Sequence, residues 1–185
     1  MKSSILALVV VMASPAVAQD LGTPLPASGT VETVEEAPEQ GDIVVTDESM
    51  WDDLQLAIPA FAAERDVATA ANARGTAALG AELARVVTAD LKNNGLFDPT
   101  GPDALPKPSF PQITDPVWGM WGMRGAEMLV QGYVRPRSDG KLVVGCYLYD
   151  VALQEELTRS GWVVPPSDWR RAAHKCADLV YSRLT

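Results

Sequence analysis

Apolar positions along residues 77–93 recur at helical spacing. Leu79, Leu83, Val86, Val87 and Leu91 make one stripe with Asp90 at its border, and Gly95 supplies the left-handed stop expected just past a helix. A second stripe of Trp169, Ala172, Ala173, Cys176 and Val180 predicts a helix over residues 168–184. It follows the stop at Pro165-Pro166, with Ser167 placed as its cap. Elsewhere the period is two. In residues 141–150 (KLVVGCYLYD), Leu142, Val144, Cys146 and Leu148 share one face of a strand. Residues 54–61 (LQLAIPAF), 128–134 (MLVQGYV) and 154–164 also read as strands, with Ser138-Asp139-Gly140 as a hairpin turn. A short strand begins at Leu96-Phe97, a short helix covers residues 117–126, and residues 62–75 read as loop. Six prolines between residues 98 and 116 predict a rigid loop without regular structure. Strand, helix, strand, helix, three strands, helix is the order of an α/β domain, a mixed β-sheet covered by helices.

The first fifty residues follow a different pattern. Lys2 precedes the apolar run of residues 5–12 (ILALVVVM), and Ala16-Val17-Ala18 has the small-x-small form of a cleavage site. That run is too short to span a bilayer, which takes about twenty residues. Residues 1–18 therefore read as a signal peptide cut after Ala18, placing the mature chain outside the cytoplasm with no membrane insertion. Residues 19–41 hold three prolines, three glycines and no aromatic residue, and read as a disordered acidic arm. A β-branched run, Ile43, Val44, Val45 and Thr46, follows between Asp42 and Asp47, so that residues 42–53 form a binding segment or linker ahead of the body at 54–185.

Charge sharpens this division. The negative surplus lies wholly between residues 19 and 53, which carry ten acids and no base: the 14 acids beyond residue 53 are matched by 14 bases, and Lys2 brings the total to −9. Such an arm repels nucleic acid and anionic lipid and is drawn to a basic partner protein, or serves only as a self-repelling spacer. With 47% hydrophobic and 21% charged residues, the whole composition excludes a disordered chain, a collagen-like repeat and a multi-span membrane protein.

Candidate chemistry is sparse. The chain lacks HExxH, GxSxG, a Walker loop and the dinucleotide GxGxxG, and it has one histidine, His174. Gly119, Gly122 and Gly125 form GxxGxxG without the Lys-Ser/Thr of a phosphate loop, and Trp118, Trp121 and Met123 beside them read as packing residues. Glu155-Glu156 alternate across a strand and cannot share a site. No catalytic residue, metal site or cofactor is expected. Cys146 and Cys176 both point from apolar faces, and a helix lying on the sheet brings them together. An oxidising compartment favours a disulfide, the alternative being two buried free thiols. Ile43 to Thr46 offers main-chain hydrogen bonds to the sheet edge of another protein, or else is an edge strand of its own domain.

Along the body the residues resemble the N-terminal domain of the TolB family. The resemblance rests on Ile58-Pro59-Ala60-Phe61 and Asp90-Leu91-Lys92-Asn93-Asn94-Gly95-Leu96-Phe97, then residues 125–134 (GAEMLVQGYV) and Leu148-Tyr149-Asp150-Val151. It ends with Trp169-Arg170-Arg171-Ala172-Ala173-His174 and Tyr181-Ser182-Arg183-Leu184-Thr185. The resemblance implies a non-enzymatic periplasmic component of the Tol–Pal system, serving outer-membrane integrity and cell division. It also implies an inner-membrane-anchored partner, TolA, bound through the segment corresponding to Asp42, Ile43, Val44, Val45, Thr46 and Asp47. In that family a β-propeller follows and binds the lipoprotein Pal. No propeller repeat occurs in these 185 residues, so Pal is expected as a partner only where a propeller follows. A different reading is an exported α/β scaffold acting on envelope polymer or lipid.

Overall fold

Residues 54–185 are described by the computed structural model. The expected signal peptide, acidic arm and residues 42–53 lie outside the described residues. The elements run β1 (Leu54–Ala57), β2 (Ala62–Ala63), α1 (Thr76–Asn93), β3 (Phe97–Thr100), α2 (Trp118–Gly122), β4 (Met128–Pro136), β5 (Leu142–Asp150), β6 (Glu155–Val164) and α3 (Trp169–Leu184).

All six strands join one mixed sheet in the order β3-β1-β4-β5-β6, with β2 beside the far end of β4. β1 runs parallel to both β3 and β4, with Leu54 opposite Phe97 and Leu56 opposite Met128. β4, β5 and β6 form an antiparallel meander in which Gly132 faces Cys146 and Cys146 faces Ser160. The fold is the α/β class that the patterning predicts.

Alternation sets the two faces of the sheet. Val130 and Val134 of β4 and Leu142, Val144, Cys146 and Leu148 of β5 are buried in one cluster with Leu79, Leu83, Val87 and Leu91 of α1 and Ala172, Ala173, Cys176 and Val180 of α3. Phe61 seals this layer. Its ring lies where a Cβ on Gly132 would stand, 2.4 Å from ring atoms, and its backbone N–H donates to the Gly80 carbonyl at 3.1 Å. A Cβ on Gly80 would come within 2.0 Å of the Phe61 carbonyl oxygen, so glycine at 80 and 132 is a requirement of close approach. The other face is closed by the segment between β3 and β4. There Trp121, Leu129, Tyr149 and Val151 form a smaller cluster.

Several boundaries differ from the expectations, each for a local reason. The strand expected over 54–61 ends at Ala57: Ile58 N–H makes the last bond to β3, donating to the Thr100 carbonyl at 2.9 Å, and Phe61 N–H then turns to the Gly80 carbonyl of α1. The expected loop over 62–75 contains β2, paired with Tyr133 and Val134. Six prolines do not exclude regular structure from 98–116. Pro99 sits inside β3, an edge strand where its missing N–H costs no ladder bond, and 3₁₀ turns occupy Pro102–Ala104 and Phe110–Ile113. The helix expected over 117–126 is one turn, Trp118–Gly122, and the positive φ of 72° at Gly125 leads the chain away from it. Ser167 does not cap α3; its hydroxyl bonds the Asp168 carboxylate at 2.9 Å. At α1 the N-terminus is satisfied from a distance, Ala77 N–H donating to Asp66 Oδ1 at 3.0 Å.

Candidate partner-binding surface

The residues expected to bind a partner, Asp42, Ile43, Val44, Val45, Thr46 and Asp47, lie outside the described residues. The body that would carry them is described from Leu54, the first residue of β1.

Cys146 and Cys176, 30 positions apart in sequence, are disulfide-bonded, with Cα atoms 5.8 Å apart. β5 and α3 supply one cysteine each, and both are fully buried. The bridge therefore ties the last helix to the middle of the sheet. α3 also leans on α1, where His174 Nδ1 lies 2.6 Å from Asp90 Oδ2, and on β3, where Phe97 meets Tyr181 edge-on at 6.4 Å. His174 is thus a surface residue in a helix–helix contact. Among the described residues no group of three or more His, Cys, Asp or Glu is placed to hold a metal ion.

On the opposite face, buried hydrogen bonds add to the apolar cluster around Trp121. Tyr149 donates its hydroxyl to the Ile113 carbonyl at 2.6 Å, and burial, with Glu156 adding to it, pushes that hydroxyl's pKa well above the usual phenol range. Gln131, fully buried, turns its amide nitrogen to the carbonyl oxygens of Gln112 at 2.8 Å and Ile113 at 3.3 Å. These bonds hold the proline-rich segment on the sheet. Beyond it, Phe110 packs edge-on against Tyr133, and the Arg135 guanidinium lies over both rings while pairing with Glu64.

The segment does not cover the end of the sheet where β1 and β4 begin and β5 ends. A groove of about 620 Å³ remains there, walled by Trp118, Gly119, Gly122, Gly125 and Ala126 on one side and Asp150, Val151, Ala152 and Gln154 on the other. Leu54, Glu127 and Met128 complete it. Trp121 is buried as its helical pattern suggests, but Met123 is 84% exposed, against the expectation that it packs in the interior. Patterning missed this groove. The one signal was the GxxGxxG spacing, whose exposed side became visible only with the fold.

Sequence comparison decides the family. Residues 42–157 match the TolB amino-terminal domain. The chain belongs to the TolB family. It is 55% identical over 83% of its length to Tol-Pal system protein TolB 1 of Novosphingobium aromaticivorans, covering 35% of that protein. The Tol-Pal system protein TolB of Sphingopyxis alaskensis is 43% identical over 98% of the chain, with 38% of that protein covered. Among solved structures, TolB from Acinetobacter baumannii superposes with a TM-score of 0.54 at 26% identity, over 72% of this chain and 29% of that one. The chain thus spans little more than a third of the length of these curated TolB relatives. No helix among the described residues is long and apolar enough to cross a membrane.

Proposed function

We propose that this chain is a non-enzymatic periplasmic adaptor of the Tol-Pal envelope system that binds a TolA-like, inner-membrane-anchored protein. Ile43, Val44, Val45 and Thr46 pair their backbone with the partner's sheet edge, and Asp42 and Asp47 steer a basic surface toward it. The observation that carries the reading is the reach of the family match, which begins at residue 42 and so includes the whole segment. Relatives named as Tol-Pal system proteins, the expected signal peptide and the acidic leader support the same reading. Through that contact the chain contributes to outer-membrane integrity and cell division. Pal joins it only where a β-propeller follows.

The test is a pull-down with the C-terminal domain of a TolA protein. Capture is expected from the wild type and loss from Val44→Asp, with amides 42–47 protected from hydrogen exchange in the complex. Docking that leaves those amides unprotected contradicts the reading. Cosedimentation with envelope polymer or anionic vesicles, without capture of TolA, would favour the scaffold alternative.

A further inference from the structure

We propose that the groove at the start of β1 is a docking site for a basic polypeptide segment that inserts a large apolar side chain. This contact is separate from the segment at residues 42–47.

The walls are apolar: Trp118, Met128, Ala126 and Val151 line the cavity together with Leu54. Two large apolar side chains next to it are left in water. Met123, one residue past Gly122, is 84% exposed, and Leu153, between Ala152 and Gln154, is 68% exposed. Exposed apolar side chains around a concave apolar surface mark a contact site more than scattered surface residues do.

Charge selects the partner. Among the described residues, the ionised groups in the lining are Glu127 and Asp150, with no Lys or Arg beside them. Glu127 accepts the Gln55 N–H at 3.0 Å and Asp150 accepts the Leu153 N–H at 2.8 Å, so both carboxylates are held in place by backbone donors. Neither has an ion-pair partner among the described residues. An acidic or neutral segment leaves these carboxylates uncompensated as the groove loses water, whereas Lys or Arg at the edges pairs with them.

The glycines fit the same occupant. A Cβ at Gly119 or Gly122 would meet nothing within 4 Å, and neither residue has a positive φ, so internal packing and backbone geometry leave both positions open to a side chain. Each has a lower helix propensity than alanine would have there. A bare wall admits an incoming side chain close to the helix backbone.

The probe is a fluorescein-labelled synthetic peptide with a Leu-Leu pair flanked by lysines, titrated onto the full chain. Saturable binding is expected, with amide shifts at Gly119, Gly122 and residues 151–154 in nitrogen-15 spectra. Replacing the leucines by alanine, or the lysines by glutamate, removes it. Gly122→Leu fills the groove and improves the helix, and is expected to weaken binding about tenfold with the fold intact. Glu127→Gln with Asp150→Asn keeps both backbone hydrogen bonds and is expected to weaken binding and remove its salt dependence. Val44→Asp leaves the probe's affinity unchanged, which separates this site from the proposed TolA contact. The proposal is overturned if Gly122→Leu binds as well as the wild type, if the alanine peptide binds equally, or if Val44→Asp abolishes binding.

Discussion

On the helix-covered face of the sheet, Val144, Cys146 and Leu148 meet Ala172, Cys176 and Val180 with no polar side chain among them, and a disulfide crosses the layer. On the other face, Gln131 and Tyr149 reach across to the carbonyls of Gln112 and Ile113, and an open groove remains beside them. Long amphipathic helices bury area continuously and tolerate no insertion. A proline-rich segment follows no regular period, so it is held at points by hydrogen bonds and stops where they stop. The first face holds the domain together, and the second leaves surface available for contact.

The comparison breaks most directly at the disulfide. Replacing Cys146 and Cys176 together by alanine is expected to cost about 3–4 kcal/mol in urea unfolding, from the loop of 30 residues released in the unfolded chain. A loss below about 1 kcal/mol would mean that helix packing alone closes that face. Gly132→Ala comes next: its Cβ meets the buried Phe61 ring, whose backbone is itself pressed against Gly80, so about 2–3 kcal/mol is expected.

Tyr149→Phe tests the second face, where losing the bond to Ile113 is expected to cost about 1–2 kcal/mol. It carries a pH signature as well. The folded-state pKa of Tyr149 is raised above the unfolded value of 10.0, so its contribution is fully present below about pH 10 and falls as pH rises beyond it. The phenylalanine variant should therefore lose less stability between neutral and alkaline pH than the wild type. An unchanged alkaline slope would show that Tyr149 is not the group responsible. The smallest effect is expected at the α1–α3 surface: His174→Gln should cost less than about 1 kcal/mol, since that pair is half exposed and screened.

Much of the helix-covered face is legible in the chain. Leu142, Val144, Cys146 and Leu148 alternate cleanly, and Leu79, Leu83, Val87 and Leu91 recur at helical spacing, because each of these faces meets a regular partner along its length. The opposite face is far less legible. Tyr149 and Gln131 alternate with Leu148 and Val130 and so lie on the other face, and their burial depends on a segment about twenty to forty residues away in sequence whose prolines hide its 3₁₀ turns. β2 is two residues long, below any detectable period, and exists only because β4 offers it an edge. GxxGxxG was visible as a spacing, but which side of α2 it faced was not.

By itself the chain determined the order of elements, the apolar face of each long one, the segregation of all net charge before residue 54, and a pair of cysteines on inward faces. Those are local properties, set by periodicity and composition. Only the tertiary structure decided that Phe61 would need glycine at both 80 and 132, and that Glu127 and Asp150 would flank one groove. Each depends on backbones far apart in sequence meeting at van der Waals distance, which a one-dimensional pattern does not encode.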